Sequence, residues 1–238
     1  MPHISIRNVS YSVDGRKLLG PLSLDVEPGE TVVLVGESGS GKTTLIRLIN
    51  GLLRPTEGTV EISGRDVAAL DPVELRRGIG YVIQEIGLFP HMTARANAGI
   101  VPRIMGVARA AVERRADEML SLVGLPPEDF GSRYPSQLSG GQRQRVGVAR
   151  ALAADPPILL CDEPFAALDP KIRRALQEEF RDISKRLHKT VVFVTHDVAE
   201  ALRLADRLAR VEEGRLTFVG DPSDLRDGIV AVNGEPRG

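Results

Sequence analysis

Short apolar runs alternate with amphipathic stretches along most of the chain. Four runs are apolar at every position, which is typical of strands buried on both faces of a sheet. They are Val32–Val35, Tyr81–Ile83, Ile158–Cys161 and Val191–Val194. Amphipathic stretches separate these runs, so the order of elements predicts an α/β core built on a mostly parallel sheet.

The clearest helical stretch spans Lys171–Leu187. Apolar residues recur there at every third or fourth position, which places them on one face of a helix. They are Ile172, Leu176, Phe180, Ile183 and Leu187. Asp169 is a favourable N-cap, and Pro170 suits the first helical turn, where its missing N–H would have no helical partner anyway. We therefore expect the helix to begin directly after Asp169.

Two regions depart from this alternation of strands and helices. Ile4–Val13 alternates polar and apolar residues and ends at Asp14-Gly15, a hairpin signal, and Leu22–Val26 alternates as well. These runs predict a small antiparallel sheet near the N-terminus. Residues 93–154 have helical patterns and no strong strand run, so we expect a helical lobe inserted between the two halves of the core.

Composition narrows the class of protein. The chain has 238 residues, with 31 Lys plus Arg against 32 Asp plus Glu. Its net charge of −1 gives no general attraction to nucleic acid, and we expect no nucleic-acid partner.

The chain lacks the sequence features of membrane spans and signal peptides. No apolar run exceeds four residues, so we expect no spanning helix. The N-terminus lacks a basic start and an apolar core, so we expect no signal peptide. The single cysteine, Cys161, excludes an internal disulfide and fits a reducing, cytoplasmic setting.

A glycine-rich segment follows the first buried run. Residues 36–43 fit the pattern G-x-x-x-x-G-K-[ST], in which glycines let several backbone N–H groups point at one phosphate. Lys42 would reach the β- and γ-phosphates of a nucleotide, and Thr43 would offer its hydroxyl to Mg²⁺. A helix starts next, and its N-terminus attracts anions. The candidate nucleotide-binding residues here are Gly36, Glu37, Ser38, Gly39, Ser40, Gly41, Lys42, Thr43 and Thr44.

Two adjacent carboxylates follow the third buried run. Asp162 stands at the carboxyl end of that strand, where ligands bind in open α/β sheets, and an Asp there can hold Mg²⁺. Glu163 is one residue further and can align a water for attack on a γ-phosphate. Neighbouring residues of an extended strand point in opposite directions, so the two carboxylates need not share one task. A simple acidic turn after a strand is the structural alternative.

A second candidate anion site is formed by Leu138, Ser139, Gly140, Gly141 and Gln142. Ser139 and Gln142 are spaced as a capping box, and a plain helix start is one interpretation. The two glycines also leave backbone N–H groups bare at the positive end of a helix. A chain with a complete phosphate loop has little need of a second phosphate site. This segment therefore suggests contact with the nucleotide of another chain.

Together these segments resemble the ATP-binding cassette subunit of ABC transporters. The phosphate loop, Gln84, the 138–142 signature segment, Asp162-Glu163, Ala167-Leu168-Asp169 and His196 stand in that family's order. The match runs from about Ile4 to Leu225. It implies a P-loop NTPase fold, ATP hydrolysis with Mg²⁺, and a head-to-tail pair of cassettes. Each ATP then lies between one chain's phosphate loop and the other chain's signature segment.

The resemblance also implies a domain organisation. Residues 1–225 would form a single ATP-binding domain. Its core would cover about 1–84 and 157–225, and its helical subdomain about 85–156. Residues 226–238 would be a C-terminal tail.

The resemblance assigns roles to individual residues. Glu163 corresponds to the carboxylate that deprotonates or positions the attacking water, and His196 to the switch histidine at the γ-phosphate. Gln84 corresponds to the residue that joins the core to the helical lobe and senses Mg²⁺. Asp169 would lie in the loop that crosses to the partner site. Tyr11 would stack on adenine, and a tyrosine that only packs in the sheet fits almost as well.

One segment resembles a particular group of bacterial importers. Residues 79–93 are similar to quaternary-amine, or osmoprotectant, uptake cassettes. The resemblance implies separate membrane permease subunits, an extracytoplasmic solute-binding protein, and a peripheral position at the cytoplasmic face of the membrane. Open alternatives are a polar amino acid importer, an exporter or lipid-moving complex, and a soluble cassette protein without a transport role.

Three apolar residues of this segment form a candidate docking surface for a short helix of the permease: Ile86, Leu88 and Phe89. Ordinary packing within the helical lobe is the alternative. The chain departs from the family pattern at three positions: Cys161 for a usual Met, Ala166 for a usual Gly or Ser, and Ala96 for a usual Glu. The third departure bears on the polar contacts near the docking surface.

Overall fold

The computed structural model describes residues 2–84, 87–166, 168–226, 231–232 and 235–236. The chain divides into a first unit, Met1–Arg76 with Leu187–Gly238, and a second unit, Arg77–Arg186. The core predicted over 1–84 and 157–225, and the helical subdomain predicted over 85–156, stay predictions.

The elements follow in chain order. The strands are β1 (Ile4–Val13), β2 (Arg16–Val26), β3 (Thr31–Val35), β4 (Glu57–Ile62), β5 (Arg65–Asp66), β6 (Ile79–Val82), β7 (Ile158–Asp162), β8 (Thr190–Thr195), β9 (Arg207–Glu212), β10 (Arg215–Gly220), β11 (Ala231–Val232) and β12 (Glu235–Pro236). The helices are α1 (Lys42–Ile49), α2 (Pro72–Arg77), α3 (Ala94–Ala98), α4 (Ile100–Ile104), α5 (Arg109–Leu122), α6 (Pro127–Phe130), α7 (Gly140–Leu152), α8 (Pro170–Arg186), α9 (Val198–Leu204) and α10 (Pro222–Arg226).

An antiparallel sheet of the first unit has the strand order β2-β1-β4-β5. Its first hairpin turns at Asp14 and Gly15, whose φ angles are 48° and 76°. A two-residue turn that matches the twist of its strands needs left-handed backbone at both positions, and this pair adopts it readily. Ile4, Ile6 and Val9 of β1 are fully buried. The antiparallel sheet predicted at the N-terminus is confirmed.

A second sheet of the first unit holds the parallel strands. β3 pairs in parallel with β8 on one side and with β9 on the other, and β10 runs antiparallel to β9. β3 and β8 are buried at every position, as their apolar runs predict. α9 packs against both strands. The register ends on Val35 opposite Thr195, so the chain leaves β3 and β8 at the same edge.

The second unit contains a parallel strand pair and most of the helices. β6 and β7 run side by side, with Val82 opposite Cys161. β7 is buried throughout, whereas Tyr81 of β6 is half-buried and Ile83 lies just beyond the strand. The strand predicted over Tyr81–Ile83 therefore begins two residues earlier, ends one residue earlier and is partly accessible. α3, α5 and α7 pack on one another, and residues 93–154 contain no strand, as predicted.

α8 begins at Pro170, directly after Asp169, as predicted. Three residues of its apolar face are buried: Leu176, Phe180 and Ile183. Ile172, in the first turn of the helix, is 46% exposed, and its Cγ2 lies close to Gly141.

Within these described ranges, no helix is long and apolar enough to cross a membrane. The predicted fold class is confirmed, with parallel strand pairs, an N-terminal antiparallel sheet and a helical stretch between β6 and β7.

Candidate functional site

The predicted phosphate loop joins β3 to α1 in the first unit. Two of its glycines are required by packing: a Cβ on Gly36 would overlap the carbonyl oxygen of Val211, and a Cβ on Gly41 would overlap the Leu19 side chain. Gly41 also has a φ of 107°, which L side chains rarely adopt. The glycine pattern therefore lets the loop lie tightly against β2 and β9.

The Lys42 ammonium lies inside this loop. The side chain is 4% exposed, and its Nζ donates to the carbonyl oxygens of Gly36 at 2.8 Å and Glu37 at 2.6 Å. It also donates to the Ser40 hydroxyl at 3.3 Å. A buried positive charge at the N-terminus of a helix suits an anion, so the loop fits a phosphate group.

The other residues of the loop differ in accessibility. Glu37, Ser38 and Gly39 are exposed at its apex, and a Cβ on Gly39 would meet nothing within 4 Å. Thr43 and Thr44 are half-buried in the first turn of α1. The Thr43 hydroxyl is a hard oxygen donor of the kind that Mg²⁺ prefers.

His196 follows β8 and belongs to the same unit as the phosphate loop. Because Val35 and Thr195 are register partners, His196 and the first loop residue, Gly36, leave adjacent parallel strands at the same edge. The His196 side chain is exposed. The structure therefore brings two of the predicted site segments together within the first unit.

Tyr11 is half-buried on β1, where its register partner is Leu19 of β2. Leu19 in turn lies against Gly41 of the phosphate loop. Tyr11 is thus on the strand next to the one that contacts the loop. Its stacking on adenine stays a prediction.

The predicted metal-binding carboxylate, Asp162, is the last residue of β7 in the second unit. It is 7% exposed, and the Tyr81 hydroxyl donates to its Oδ2 at 3.5 Å. The sequence reasoning did not single out Tyr81 for this contact. Gln84 lies two residues beyond β6 and is exposed. The β6–β7 register places Gln84 and Asp162 at the same edge of this strand pair.

Glu163 adopts a backbone conformation that is unfavourable for its residue type. Its φ is 45°, in the left-handed region where residues other than Gly are strained by about 1 kcal/mol or more. The side chain is half-buried. The left-handed backbone turns the chain sharply directly after β7, so Glu163 stands at the same carboxyl end of the strand as Asp162.

The signature segment forms a rigid helix start in the second unit. Ser139 and Gln142 make the predicted capping box, with Gln142 N donating to Ser139 Oγ at 3.2 Å and Ser139 N donating to Gln142 Oε1 at 2.9 Å. A Cβ on Gly141 would lie 2.9 Å from Cγ2 of Ile172, whereas a Cβ on Gly140 would make only ordinary contacts, the nearest with Leu168 Cδ2 at 3.8 Å. Leu138 is buried, and its carbonyl accepts from Arg143 Nη1 at 2.7 Å.

Asp169 caps α8 through the Lys171 N–H, which donates to its Oδ1 at 3.0 Å. Arg173 holds the preceding loop by donating from Nη2 to the carbonyl oxygens of Ala166 at 3.0 Å and Leu168 at 2.9 Å. The sequence reasoning did not identify Arg173, because an arginine–carbonyl contact has no local pattern. Ala167 lies outside the described residues.

The candidate docking surface is fixed by a buried asparagine that the sequence reasoning missed. Asn97 is 0% exposed; its Oδ1 accepts from the Phe89 N–H at 2.8 Å. Its Nδ2 donates to the carbonyl oxygens of Phe89, Met92 and Thr93 at 3.0 to 3.1 Å. Phe89 is 42% exposed and Leu88 is half-buried, while Ile86 lies outside the described residues.

Comparison with known proteins identifies the family. The family model described as "ABC transporter" matches residues 19–166. The chain belongs to the ABC transporter family. The family resemblance inferred from the sequence is thereby confirmed, and the phosphate loop, the signature segment and Asp162-Glu163 all fall within the matched range.

Two relatives of this ABC transporter chain come from quaternary-amine uptake systems, as the sequence predicted. OpuBA, the choline transport ATP-binding protein of Bacillus subtilis (strain 168), is 49% identical over 93% of this chain and 58% of OpuBA. YehX, the glycine betaine uptake system ATP-binding protein of Escherichia coli (strain K12), is 47% identical over 92% of this chain and 71% of YehX. The chain spans little more than half the length of OpuBA and of further relatives of this kind.

A solved structure supports the same family at the level of the fold. The ATP-binding cassette MJ0796, a dimer in a post-hydrolysis state bound to ADP and Pi, superposes with a TM-score of 0.80 at 34% identity. The match covers 92% of this chain and 98% of that chain. The predicted P-loop NTPase fold of an ABC cassette is confirmed.

Proposed function

We propose that this chain is the ATP-hydrolysing subunit of a multi-subunit ABC importer. The observation that carries the proposal is the Lys42 ammonium, held inside a glycine loop at the N-terminus of α1 with His196 at the same edge of the sheet. A buried cation surrounded by backbone groups is arranged for a polyphosphate rather than for an apolar ligand.

Nucleotide binding is assigned to the phosphate loop. On binding, Lys42 exchanges loop carbonyls for the β- and γ-phosphate oxygens, and the backbone N–H groups of residues 39–44 surround the phosphates. Tyr11 stacks on the adenine. Thr43, Asp162 and Gln84 offer the oxygen donors that suit Mg²⁺, which neutralises phosphate charge when bound.

Hydrolysis is assigned to Glu163 and His196. Glu163 accepts a proton from the attacking water or holds that water in line. His196 hydrogen-bonds the γ-phosphate and keeps the water oriented. Lys42 stabilises the charge on the transferred phosphoryl group, so catalysis is largely positioning and charge neutralisation.

The active form is a head-to-tail pair of cassettes. The α7 N-terminus with Ser139, Gly140 and Gly141 faces the ATP of the partner, where the capping box keeps the first-turn N–H groups in place. Asp169 lies in the loop directed at the partner site. The dimeric state named for MJ0796 supports this arrangement.

The transported solute is proposed to be a quaternary amine such as choline or glycine betaine. The names of OpuBA and YehX support this class. The chain then works at the cytoplasmic face of the membrane with permease subunits and an extracytoplasmic solute-binding protein. Leu88 and Phe89 form the surface on which a short permease helix docks, and Asn97 fixes the Phe89 backbone.

A dilution series of the purified chain tests the catalytic part of the proposal. ATP hydrolysis with Mg²⁺ should show a rate per chain that falls on dilution, because each site needs two chains. A rate per chain that stays constant would contradict the shared site. A rate no greater than that of the Lys42→Ala variant at every concentration would overturn the ATPase assignment.

Affinity capture of the tagged chain from native membranes tests the transport part. We expect permease subunits and a solute-binding protein, identified by mass spectrometry. Choline or glycine betaine, and not polar amino acids, should raise the melting temperature of that binding protein. Recovery of ribosomal or DNA-bound partners without a membrane subunit would overturn the transport assignment.

A further inference from the structure

Two buried side chains hold the turn that carries His196: Thr195 directly precedes the histidine, and Glu200 lies in the helix that follows it. Thr195 is 2% exposed and Glu200 is 5% exposed. The Thr195 hydroxyl donates to the Glu200 carboxylate and accepts from the Asp197 N–H, with Oγ1 and N 2.9 Å apart. The hydroxyl proton and one lone pair therefore each have a fixed direction, and the backbone is pinned immediately before and after His196.

The first turn of α9 places Glu200 for this contact. Asp197 is the N-cap of α9: its Oδ1 accepts from the N–H groups of Ala199 at 2.8 Å and Glu200 at 3.2 Å. α9 packs against β3, the strand that leads into the phosphate loop, and against β8, the strand that leads into His196. Glu200 thus belongs to a helix that packs against both of these strands, and its carboxylate reaches the residue directly before His196.

Helix capping alone does not explain why the Glu200 carboxylate is buried. Asp197 Oδ1 accepts from the N–H groups of Ala199 and Glu200, so the Glu200 carboxylate is not needed for these two bonds and instead accepts from the Thr195 hydroxyl. Burying a carboxylate is unfavourable unless its hydrogen bonds compensate, and the Thr195 hydroxyl supplies one of them. A buried acid at this position is more readily explained by the hydroxyl that it orients than by local helix stability.

We propose that Glu200 is a positioning residue for His196 and that it acts through the Thr195 hydroxyl; this inference rests on the proposed function. Without the Thr195–Glu200 contact the turn relaxes and His196 leaves its position by a fraction of an ångström to an ångström. Misplacement on this scale lowers the rate of the chemical step by about 10- to 100-fold. Lys42 and the backbone N–H groups of the phosphate loop make most of the proposed ATP contacts, so we expect ATP affinity to change by no more than about twofold.

Substitutions at Thr195 test the hydroxyl with a matched control on the same strand. Thr195→Val removes the hydroxyl at constant volume and should lower kcat at least about 10-fold with the Kd for ATP within about twofold. Thr195→Ser keeps the hydroxyl and should restore most of kcat. Thr190→Val is the control, because Thr190 is buried at the opposite end of β8 and bonds His3 Nδ1 and the Gly29 N–H. It should lower the melting temperature and leave kcat unchanged.

Substitutions at Glu200 and His196 complete the test. Glu200→Gln keeps an acceptor oxygen and should retain more activity than Glu200→Leu, which removes it. In the His196→Ala background, Thr195→Val should cause no further loss of kcat, because the hydroxyl acts through the histidine. Equal kcat losses for Thr195→Val and Thr190→Val, or an additional loss in the His196→Ala background, would overturn the positioning role. A wild-type chain without ATPase activity would instead overturn the proposed function.

Discussion

Leu19 and Gly41 are in contact across the first unit, and the Leu19 Cδ2 methyl occupies the place that a Cβ on Gly41 would take. Leu19 is fully buried on β2, and Gly41 is the N-cap of α1. The antiparallel sheet therefore sets the position of the phosphate loop directly. The second glycine of the nucleotide-binding pattern is required by this packing as well as by the backbone.

Two glycine substitutions separate backbone strain from this packing. Gly39→Ala places a Cβ in open space at a φ of 82°, and should destabilise the fold by about 1–2 kcal/mol from strain alone. Gly41→Ala adds the overlap with Leu19, and should cost about 2–5 kcal/mol and abolish ATP binding. Urea unfolding and nucleotide titration measure both effects. An equal loss of stability in the two variants would show that the Leu19 contact is unimportant.

Lys42→Ala should weaken ATP binding by about 10- to 100-fold, because it removes a charged donor worth about 1.5–3 kcal/mol at the phosphates. Lys17→Ala is the matched control, since Lys17 is exposed near the β1–β2 hairpin. Both variants lose one positive charge, so a general charge effect would appear in both. Titration with a fluorescent ATP analogue gives the affinities, and undiminished affinity in Lys42→Ala would contradict the phosphate-loop assignment.

Local features of the fold and site were predictable from the sequence, because neighbouring residues determine them. The Asp14-Gly15 turn, the Ser139–Gln142 capping box and the α8 start after Asp169 each depend on fewer than five residues. The order of the family motifs could also be identified from the sequence alone. Tertiary contacts were not: the arginine that holds the loop before α8 and the asparagine that holds residues 89–93 bond to backbone carbonyls, which have no residue-specific pattern.

The positive φ of Glu163 is another feature that the local sequence does not predict. Left-handed backbone is common for Gly and Asn, and nothing in the composition of residues 158–163 signals it. It follows from the way the chain leaves β7, which local propensity does not describe. The left-handed φ of Glu163 therefore depends on the position of β7 and of the turn that follows it.

Glu163→Gln should lower the hydrolysis rate by at least about 100-fold, as expected for loss of a general base or of the carboxylate that positions water. ATP affinity should be retained, and an ATP-bound dimer should accumulate and be detectable by size-exclusion chromatography. Glu213→Gln is the control: Glu213 also has a left-handed φ, 46°, but lies exposed in the β9–β10 turn. Wild-type turnover in Glu163→Gln would contradict the role assigned to Glu163.

Asn97 provides the test of the docking surface. Asn97→Ala removes the side chain that ties the Phe89 N–H and three carbonyl groups together, and should destabilise the fold by about 2–3 kcal/mol. Asn97→Asp should be at least as harmful, because a carboxylate keeps the acceptor for Phe89 but repels the three carbonyl oxygens. In both variants we expect the ATPase activity of the purified chain to persist and the capture of permease subunits from membranes to fall.

Asn50→Ala is the control for a general loss of stability, since Asn50 is also buried and its Oδ1 accepts from the Leu52 N–H at 3.2 Å. It should destabilise the fold by about 1 kcal/mol and leave permease capture unchanged. If the loss of permease capture in Asn50→Ala and Asn97→Ala followed the decrease in their melting temperatures, the loss would reflect stability and not the Phe89 surface. Loss of capture in Asn97→Ala alone, with ATPase activity intact, would locate permease docking on the loop that Asn97 holds.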